Sequence, residues 1–265
     1  MKRVWKHRIT CLVTTQIICL GLVAQSPLPA SSLPKPQAIL VELFTSEGCS
    51  SCPPADTLLR EINDTRSDSG QLIIGISEHV TYWNSLGWTD PFSSPLFTER
   101  QKAYGERFAL NSVYTPQMVV NGAEQIVGSD RDALARALKK ELARPAQVAV
   151  HILSTRVIGG VLVVKFSLVD AIPNIKGDIV AVLADDIDQS SVLHGENSGR
   201  VLSHVAVARS LNRIAMAQPL VAQEIRLPLP QSFQTSHRHH LILFAQAPSH
   251  GLVLGVDTSP LSQFD

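Results

Sequence analysis

The sequence predicts an α/β domain followed by a β-rich, sandwich-like domain, and three observations carry that expectation. First, the apolar run "AILVELF" (38–44) leads through a C-x-x-C pair into a helical pattern and on to a second apolar run, "QLIIGIS" (71–77). That is the order of a strand–helix–strand crossover, which implies a parallel strand pair. Second, "QMVVNG" and "EQIVG" flank Asn121 and Gly122, a strong hairpin signal. Third, helical periodicity fades after Pro145, and short apolar runs such as "QVAVHIL", "VLVVKFSLV", "DIVAVLA", "RVLSHVAVARSL" and "HLILFAQ" recur between turn residues. A domain boundary near residue 145 follows. The 265 residues can bury a substantial core, and 45% hydrophobic with 17% charged residues is an ordinary globular composition.

The N-terminus has a different texture. "MKRVWKHR" carries Lys2, Arg3, Lys6 and Arg8; an uncharged apolar run follows, then "QSPLPASS". Basic, apolar, small is the order of a secretory signal peptide over residues 1–30, with cleavage near 24–30, after Ala24 or Ala30. The apolar run is short for a membrane span, which needs about 20 residues, so contact with a membrane is expected only if the leader stays uncleaved. Cleavage removes Cys11 and Cys19 and leaves Cys49 and Cys52 as the mature chain's cysteines. It also leaves 19 basic against 23 acidic residues, a net charge of about −4. No long basic run remains, which removes the electrostatic footprint of a nucleic-acid binder. A periplasmic or secreted location is oxidising, and a disulfide persists there.

The remaining elements follow in order. "SSLPKPQ" (31–37) is a tether. Pro53 and Pro54 fit a first helical turn, where amide hydrogens lack partners anyway, and Leu58, Leu59 and Ile62 then recur at helical spacing. An aromatic, partly helical insertion spans about 79–112, with a helix over 94–110 that turns Phe97, Tyr104 and Phe108 inward. A further helix covers 129–143, opened by a Ser or Asp cap.

Cys49 and Cys52 admit three readings. A redox pair is favoured: a thiolate at a helix start faces unpaired amide hydrogens and the positive end of the macrodipole, and a thiolate is what attacks a disulfide. Cys49 is then the nucleophile and Cys52 the resolving thiol. Glu47 opposes the thiolate, while Ser50 and Ser51 offer hydroxyl hydrogen bonds. A metal half-site needs further ligands; there is no second C-x-x-C, and His79 is the candidate for a copper set of Cys49, Cys52 and His79. A purely structural staple closes a tiny loop and stabilises little in the chain-entropy model. Glu42, a carboxylate in an apolar strand, is a candidate proton carrier for Cys52, weighed evenly against a solvent-facing or capping role. Thr115-Pro116 precedes a strand; spacing alone gives no reason to expect a cis bond, found at roughly 5% of X-Pro bonds. Trp83 and Trp88 fit either a groove lining or the core of the insertion. "HRHH" (237–240) fits surface decoration, and "GENSGR" (195–200) a glycine-rich loop between strands. The chain contains no G-x-S-x-G motif and no phosphate-binding loop.

Taken together, "VELFTSEGCSSCPPAD", "YW..LGW.DPF.SP.FTERQ.AY", "SVYTPQMVVNG", "VGSDR" and "GENSGR" resemble a family of secreted bacterial thioredoxin-like proteins known as domain of unknown function 1223. The resemblance runs from about residue 38 to near the C-terminus. It implies an α/β thioredoxin-like domain over 37–145 followed by a β-rich (sandwich-like) C-terminal domain over 146–262. It also implies that Cys49 and Cys52 are the family's cysteine pair, that Thr115-Pro116 is cis and faces them, and that Tyr82, Trp83 and Trp88 lie near the pair. Thr81 and Asn84 depart from the family pattern, which usually has acidic residues there. The family carries no settled activity, and a fold does not fix one. The expected function is an exported thiol–disulfide oxidoreductase with Cys49, Cys52, Thr115, Pro116 and Glu42 at its site. It would need no cofactor and would act on exported protein thiols or disulfides. The alternative is a metal-handling or binding module without redox turnover.

Overall fold

The computed structural model describes residues 1, 38–145, 147–169, 176–215, 222–231, 233 and 237–261. The leader and tether expected over 1–37 lie, apart from Met1, outside the described residues.

Strand β1 (Ile39–Thr45) is fully buried and runs into the cysteine loop; helix α1 (Pro53–Ile62) follows, and β2 (Ile73–His79) returns beside β1. The two strands pair in parallel from Ile39↔Ile73 to Thr45↔His79, so the expected crossover is present. Helix α2 (Pro95–Arg107) is capped by Ser94, whose side chain accepts from the Leu96 N–H. Its Phe97 and Tyr104 are buried, as their spacing indicated, and Phe108 is partly so. Strands β3 (Gln117–Val120) and β4 (Glu124–Val127) form the hairpin. Its turn places Asn121 and Gly122 at φ 53° and 60°, the left-handed region that an Asn-Gly pair enters most cheaply. Helix α3 (Arg131–Leu142) starts at Asp130, whose carboxylate accepts from the Ala133 N–H.

Among the described residues seven strands come after it: β5 (Ala149–Ile158), β6 (Val161–Val169), β7 (Asp178–Ser191), β8 (Val201–Ala215), β9 (Gln223–Pro228), β10 (His239–Gln246) and β11 (Val253–Leu261). Their placement overturns the expected fold class. The chain is not a small α/β thioredoxin-like domain followed by a separate sandwich. A single eight-stranded mixed sheet runs in the order β11-β10-β7-β8-β2-β1-β3-β4, so strands of both halves share one layer. The junction is the parallel contact of β2 with β8, registered at Ser77↔Val207. A core cluster crosses the expected boundary: Leu40, Ile74, Ile76 and Phe97 pack with Val180, Val182, Ile242 and Phe244. The described residues from 38 onward accordingly fall in one compact unit. The sandwich-like part is local. Strands β5, β6 and β9 form a three-stranded sheet, and its Val150, Leu162, Val164 and Phe166 pack against Ala181, Leu183, Leu241 and Leu243.

Two faces of the large sheet matter for the site. Val41 and Leu43 of β1 pack with Ala55, Leu58 and Leu59 of α1. Alternation along the strand turns Leu40, Glu42 and Phe44 to the other face, where α2 lies.

Candidate disulfide site

Cys49 and Cys52 are bonded to each other, with their Cα atoms 5.4 Å apart, and both are buried. The loop Ser46–Cys52 is a succession of tight turns: the Cys49 N–H donates to the Ser46 carbonyl and the Cys52 N–H to the Cys49 carbonyl. Ser50 and Ser51, between the sulfurs, are exposed. Cys49 Sγ lies 3.3 Å from Ser51 Oγ, one of the hydroxyl contacts anticipated.

Cys52, not Cys49, is the residue that caps α1. The expected cradle of free amide hydrogens is absent, for a reason in the sequence itself. Pro53 and Pro54 have no N–H, and the N–H groups of Ala55 and Asp56 both donate to the Cys52 carbonyl.

A buried polar cluster takes its place. The backbone N–H of Glu47 donates to Asp90 Oδ2 (2.8 Å), and its carboxylate accepts from Trp88 Nε1 (2.8 Å) and from the Ser190 hydroxyl. His204 of β8 stands between two carboxylates: Nε2 is 3.4 Å from Glu47 Oε1 and Nδ1 is 3.5 Å from Asp56 Oδ1. These are ion-pair distances without hydrogen-bond geometry. Thr45 Oγ1 donates to the same Asp56 oxygen (3.0 Å). Burial alone would lower the His204 pKa, but Asp56 and Glu47 push it up to about 10. His79 packs edge-on to His204 with ring centroids 4.6 Å apart, and its Nδ1 lies 2.7 Å from Asp90 Oδ2. Burial acts to raise the Asp90 carboxyl, yet the facing His79 and the N–H groups of Glu47 and Phe92 hold it below its ordinary value.

The loop between β7 and β8 closes over the cysteine loop. Asn197 Nδ2 donates to the carbonyls of Glu47 (2.8 Å) and Cys49 (2.9 Å), and the Ser50 N–H donates to Glu196 Oε2 (3.0 Å). "GENSGR" is thus a loop between strands, and its Asn197 holds the backbone of the cysteine loop.

The insertion reaches the site as well. Trp83 Nε1 donates to Thr115 Oγ1 (2.7 Å), and a Cβ added at Gly48 would lie 3.1 Å from Trp83 Cβ. Trp83 and Trp88 are only half-buried, and each spends its indole N–H on the site. The Thr115-Pro116 bond is cis. Pro116 and the first turn of α1 converge on Gly128, where an added Cβ would meet Pro116 Cβ at 3.1 Å and Ala55 Cβ at 3.2 Å.

Glu42 is in another place. It points to the α2 face and is held by Arg100 (Nε at 2.6 Å, Nη2 at 2.5 Å) and by the Tyr104 hydroxyl (2.6 Å). Nearby Glu78 is raised well above its ordinary value by burial and then by the charge of Glu42. These contacts tie Glu42 to α2 and not to Cys52.

Of the metal candidates, His79 spends Nδ1 on Asp90, while its buried Nε2 has no hydrogen-bond partner among the described residues. Among the described residues, the ligand atoms that converge belong to Asp185, Asp188 and His237. Arg209 bridges those two carboxylates at 2.5 and 2.9 Å and so supplies a cation to both, and His239 Nδ1 lies 2.5 Å from Asp185. Within "HRHH", read as surface decoration, Arg238 is exposed and His237 and His240 are half-buried, and His239 alone departs from that reading by being buried.

Fold and site together define a mixed-sheet protein with a buried C-x-x-C disulfide at a helix start, sealed by residues from the second half of the chain. The family model described as "Protein of unknown function (DUF1223)" matches residues 40–246, and the chain belongs to that family. A crystal structure of a protein from Agrobacterium tumefaciens is 28% identical, with a TM-score of 0.61, covering 83% of this chain and 92% of that one. HBP35 of Porphyromonas gingivalis is similar in fold, with a TM-score of 0.62 at 12% identity over 85% of this chain and 75% of that one. No curated protein matched.

Proposed function

We propose that the Cys49–Cys52 disulfide is a reversible redox pair and that the protein exchanges disulfides with thiols of exported polypeptides. The observation that supports this best is the setting of the bond. It closes a loop too short to stabilise the chain much, yet four other segments send polar groups to that loop: Asp90, Asn197 and His204, which are buried, and Trp88 and Ser190, which are half-buried. A mere staple has no need of such a surround. In the exchange, a substrate thiolate attacks one sulfur, the S–S bond breaks, and its electron pair leaves on the other sulfur. A second substrate thiol then displaces the first sulfur, so the substrate is oxidised to a disulfide as the pair is reduced. Cys49 takes the attacked role in this reading because it precedes the helix, whereas Cys52 caps it. The leader expected from the sequence would place the exchange in an oxidising, extracytoplasmic compartment.

The test is the mass of the protein after a cysteine-specific alkylator, with and without prior reduction, for the chain lacking residues 1–30. Two additions only after reduction support the proposal. No additions under either condition would sink it.

A further inference from the structure

Two carboxylates flank the disulfide along the chain, Glu47 two residues before Cys49 and Asp56 four after Cys52, and both are buried. Asp56 stands one helical turn beyond Cys52 on the same side of α1. Left to themselves, these charges oppose a thiolate on either sulfur. The helix start offers no free N–H to offset them, because of Pro53 and Pro54. His204, 1% exposed, is a buried cation set between Glu47 and Asp56. It is not sealed from solvent chemically: a groove of about 200 Å³ between α1 and the start of β8 has Pro53, Asp56 and His204 among its lining residues. The other charged groups around it are already matched. His79 of β2 is engaged with Asp90, and Asp188, opposite His204 on β7, is engaged with Arg209. Arg60 of α1 donates to the Ser203 carbonyl.

We infer that His204 is a positioning residue for the exchange: its charge, held between Glu47 and Asp56, favours the thiolate form of the reduced Cys49–Cys52 pair and so makes the disulfide a stronger oxidant. This rests on the redox reading above. The balance is simple. A substrate dithiol gives up two electrons and two protons; one proton goes to one of the two sulfurs, the other sulfur stays a thiolate, and the second proton leaves to solvent. His204 keeps its own proton and acts by charge alone. The consequence for the architecture is that the β-rich half is part of the redox site, because β8 carries the residue that compensates the carboxylates.

The experiment is the pH dependence of alkylation of the reduced pair in wild type, His204→Gln and Glu47→Gln, with the equilibrium against glutathione measured alongside. His204→Gln is expected to move the thiolate midpoint up by about one pH unit, slowing alkylation at neutral pH roughly tenfold. Glu47→Gln is expected to move it down. The glutathione equilibrium shifts about tenfold towards the disulfide in His204→Gln. Opposite shifts support the inference, since a loss of packing alone has no reason to change sign. Unchanged midpoints, or two shifts of the same sign, overturn it. If His204→Gln does not fold, Glu47→Gln carries the test: a lowered midpoint supports the inference, and an unchanged or raised one overturns it. Should the midpoints move as expected while the wild-type pair never equilibrates with glutathione, the charge argument stands and the exchange reading falls.

Discussion

Asn197, fully buried, donates from one side-chain nitrogen to the carbonyl of Cys49 at 2.9 Å and to that of Glu47 at 2.8 Å. One amide group from the β7–β8 loop thus clamps the backbone on both sides of Gly48. Exchange requires a sulfur to be reached, and both are covered in this state.

The clamp should therefore set how fast the pair is reduced. Asn197→Ala removes both bonds; the Cys49 carbonyl keeps the Cys52 N–H, while the Glu47 carbonyl loses its side-chain donor, a loss of about 1–3 kcal/mol. If that loss falls on the closed loop, reduction by excess dithiothreitol speeds up by roughly tenfold at neutral pH. Glu196→Gln is the control, because Glu196 is exposed and its bond to the Ser50 N–H is worth little. A variant that loses overall stability but is reduced at the wild-type rate would show that Asn197 has no part in access.

Spacing between Pro116 and α1 depends on Gly128. A methyl group there would press on Leu43 Cδ1 at 3.1 Å, Pro116 Cβ at 3.1 Å and Ala55 Cβ at 3.2 Å, all tighter than ordinary contact. Gly128→Ala should cost about 1–3 kcal/mol through overpacking, read from the urea midpoint. Gly159→Ala is a useful contrast. Nothing lies within 4 Å of a Cβ at Gly159, so any cost there comes from its φ of +56° alone.

On the opposite face of the sheet, Arg100 neutralises Glu42 and reaches Glu78 at 3.5 Å. Arg100→Met strands a carboxylate that is 0% exposed, and the expected loss is about 3–5 kcal/mol. The double variant Glu42→Leu/Arg100→Met removes both charges and should recover most of that loss. If the double variant is no better than the single, the pair is not acting through charge compensation.

Much of the local structure was legible from the chain. The crossover followed from two apolar runs around a helical pattern, and the hairpin followed from Asn121-Gly122, because those signals are local. The joining of the halves was not legible. It depends on β8 lying beside β2 with a single registered pair, Ser77↔Val207, and a run such as "RVLSHVAVARSL" reads the same whether its strand ends in a sandwich or extends a sheet. The cysteine pair, Thr115-Pro116 and the aromatic segment were visible for the same local reason. His204, Asn197, Ser190 and Asp90 were missed, since each acts only through contacts that the tertiary fold creates. One signal was present: a histidine at an apolar-strand position, like a glutamate at 42, has to find a buried partner. The pattern shows that a partner exists but does not name it.

The same buried histidine makes stability depend on pH in a defined direction. His204 is pushed up from 6.5 to about 10, so the folded protein holds its proton more tightly than the unfolded chain does. Its contribution is complete below pH 6.5 and is lost as pH rises towards 10. Asp90 runs the other way: its carboxyl is held low, so its contribution is present above its unfolded value and is lost on acidification. His250, lowered to about 4 by burial and then by Arg100, adds to that acid-side loss between pH 6.5 and 4. Glu78, held high, opposes it, since its contribution is present in acid and lost as pH rises through its raised value. Urea unfolding of the oxidised protein from pH 6 to 10 isolates the histidine when wild type is compared with His204→Gln. Every other group is common to both, so the wild type should lose stability more steeply across that window and the difference between the two should narrow towards pH 10. Parallel curves would mean that His204 is not a cation in the folded protein, and the carboxylates beside the disulfide would then need another source of compensation.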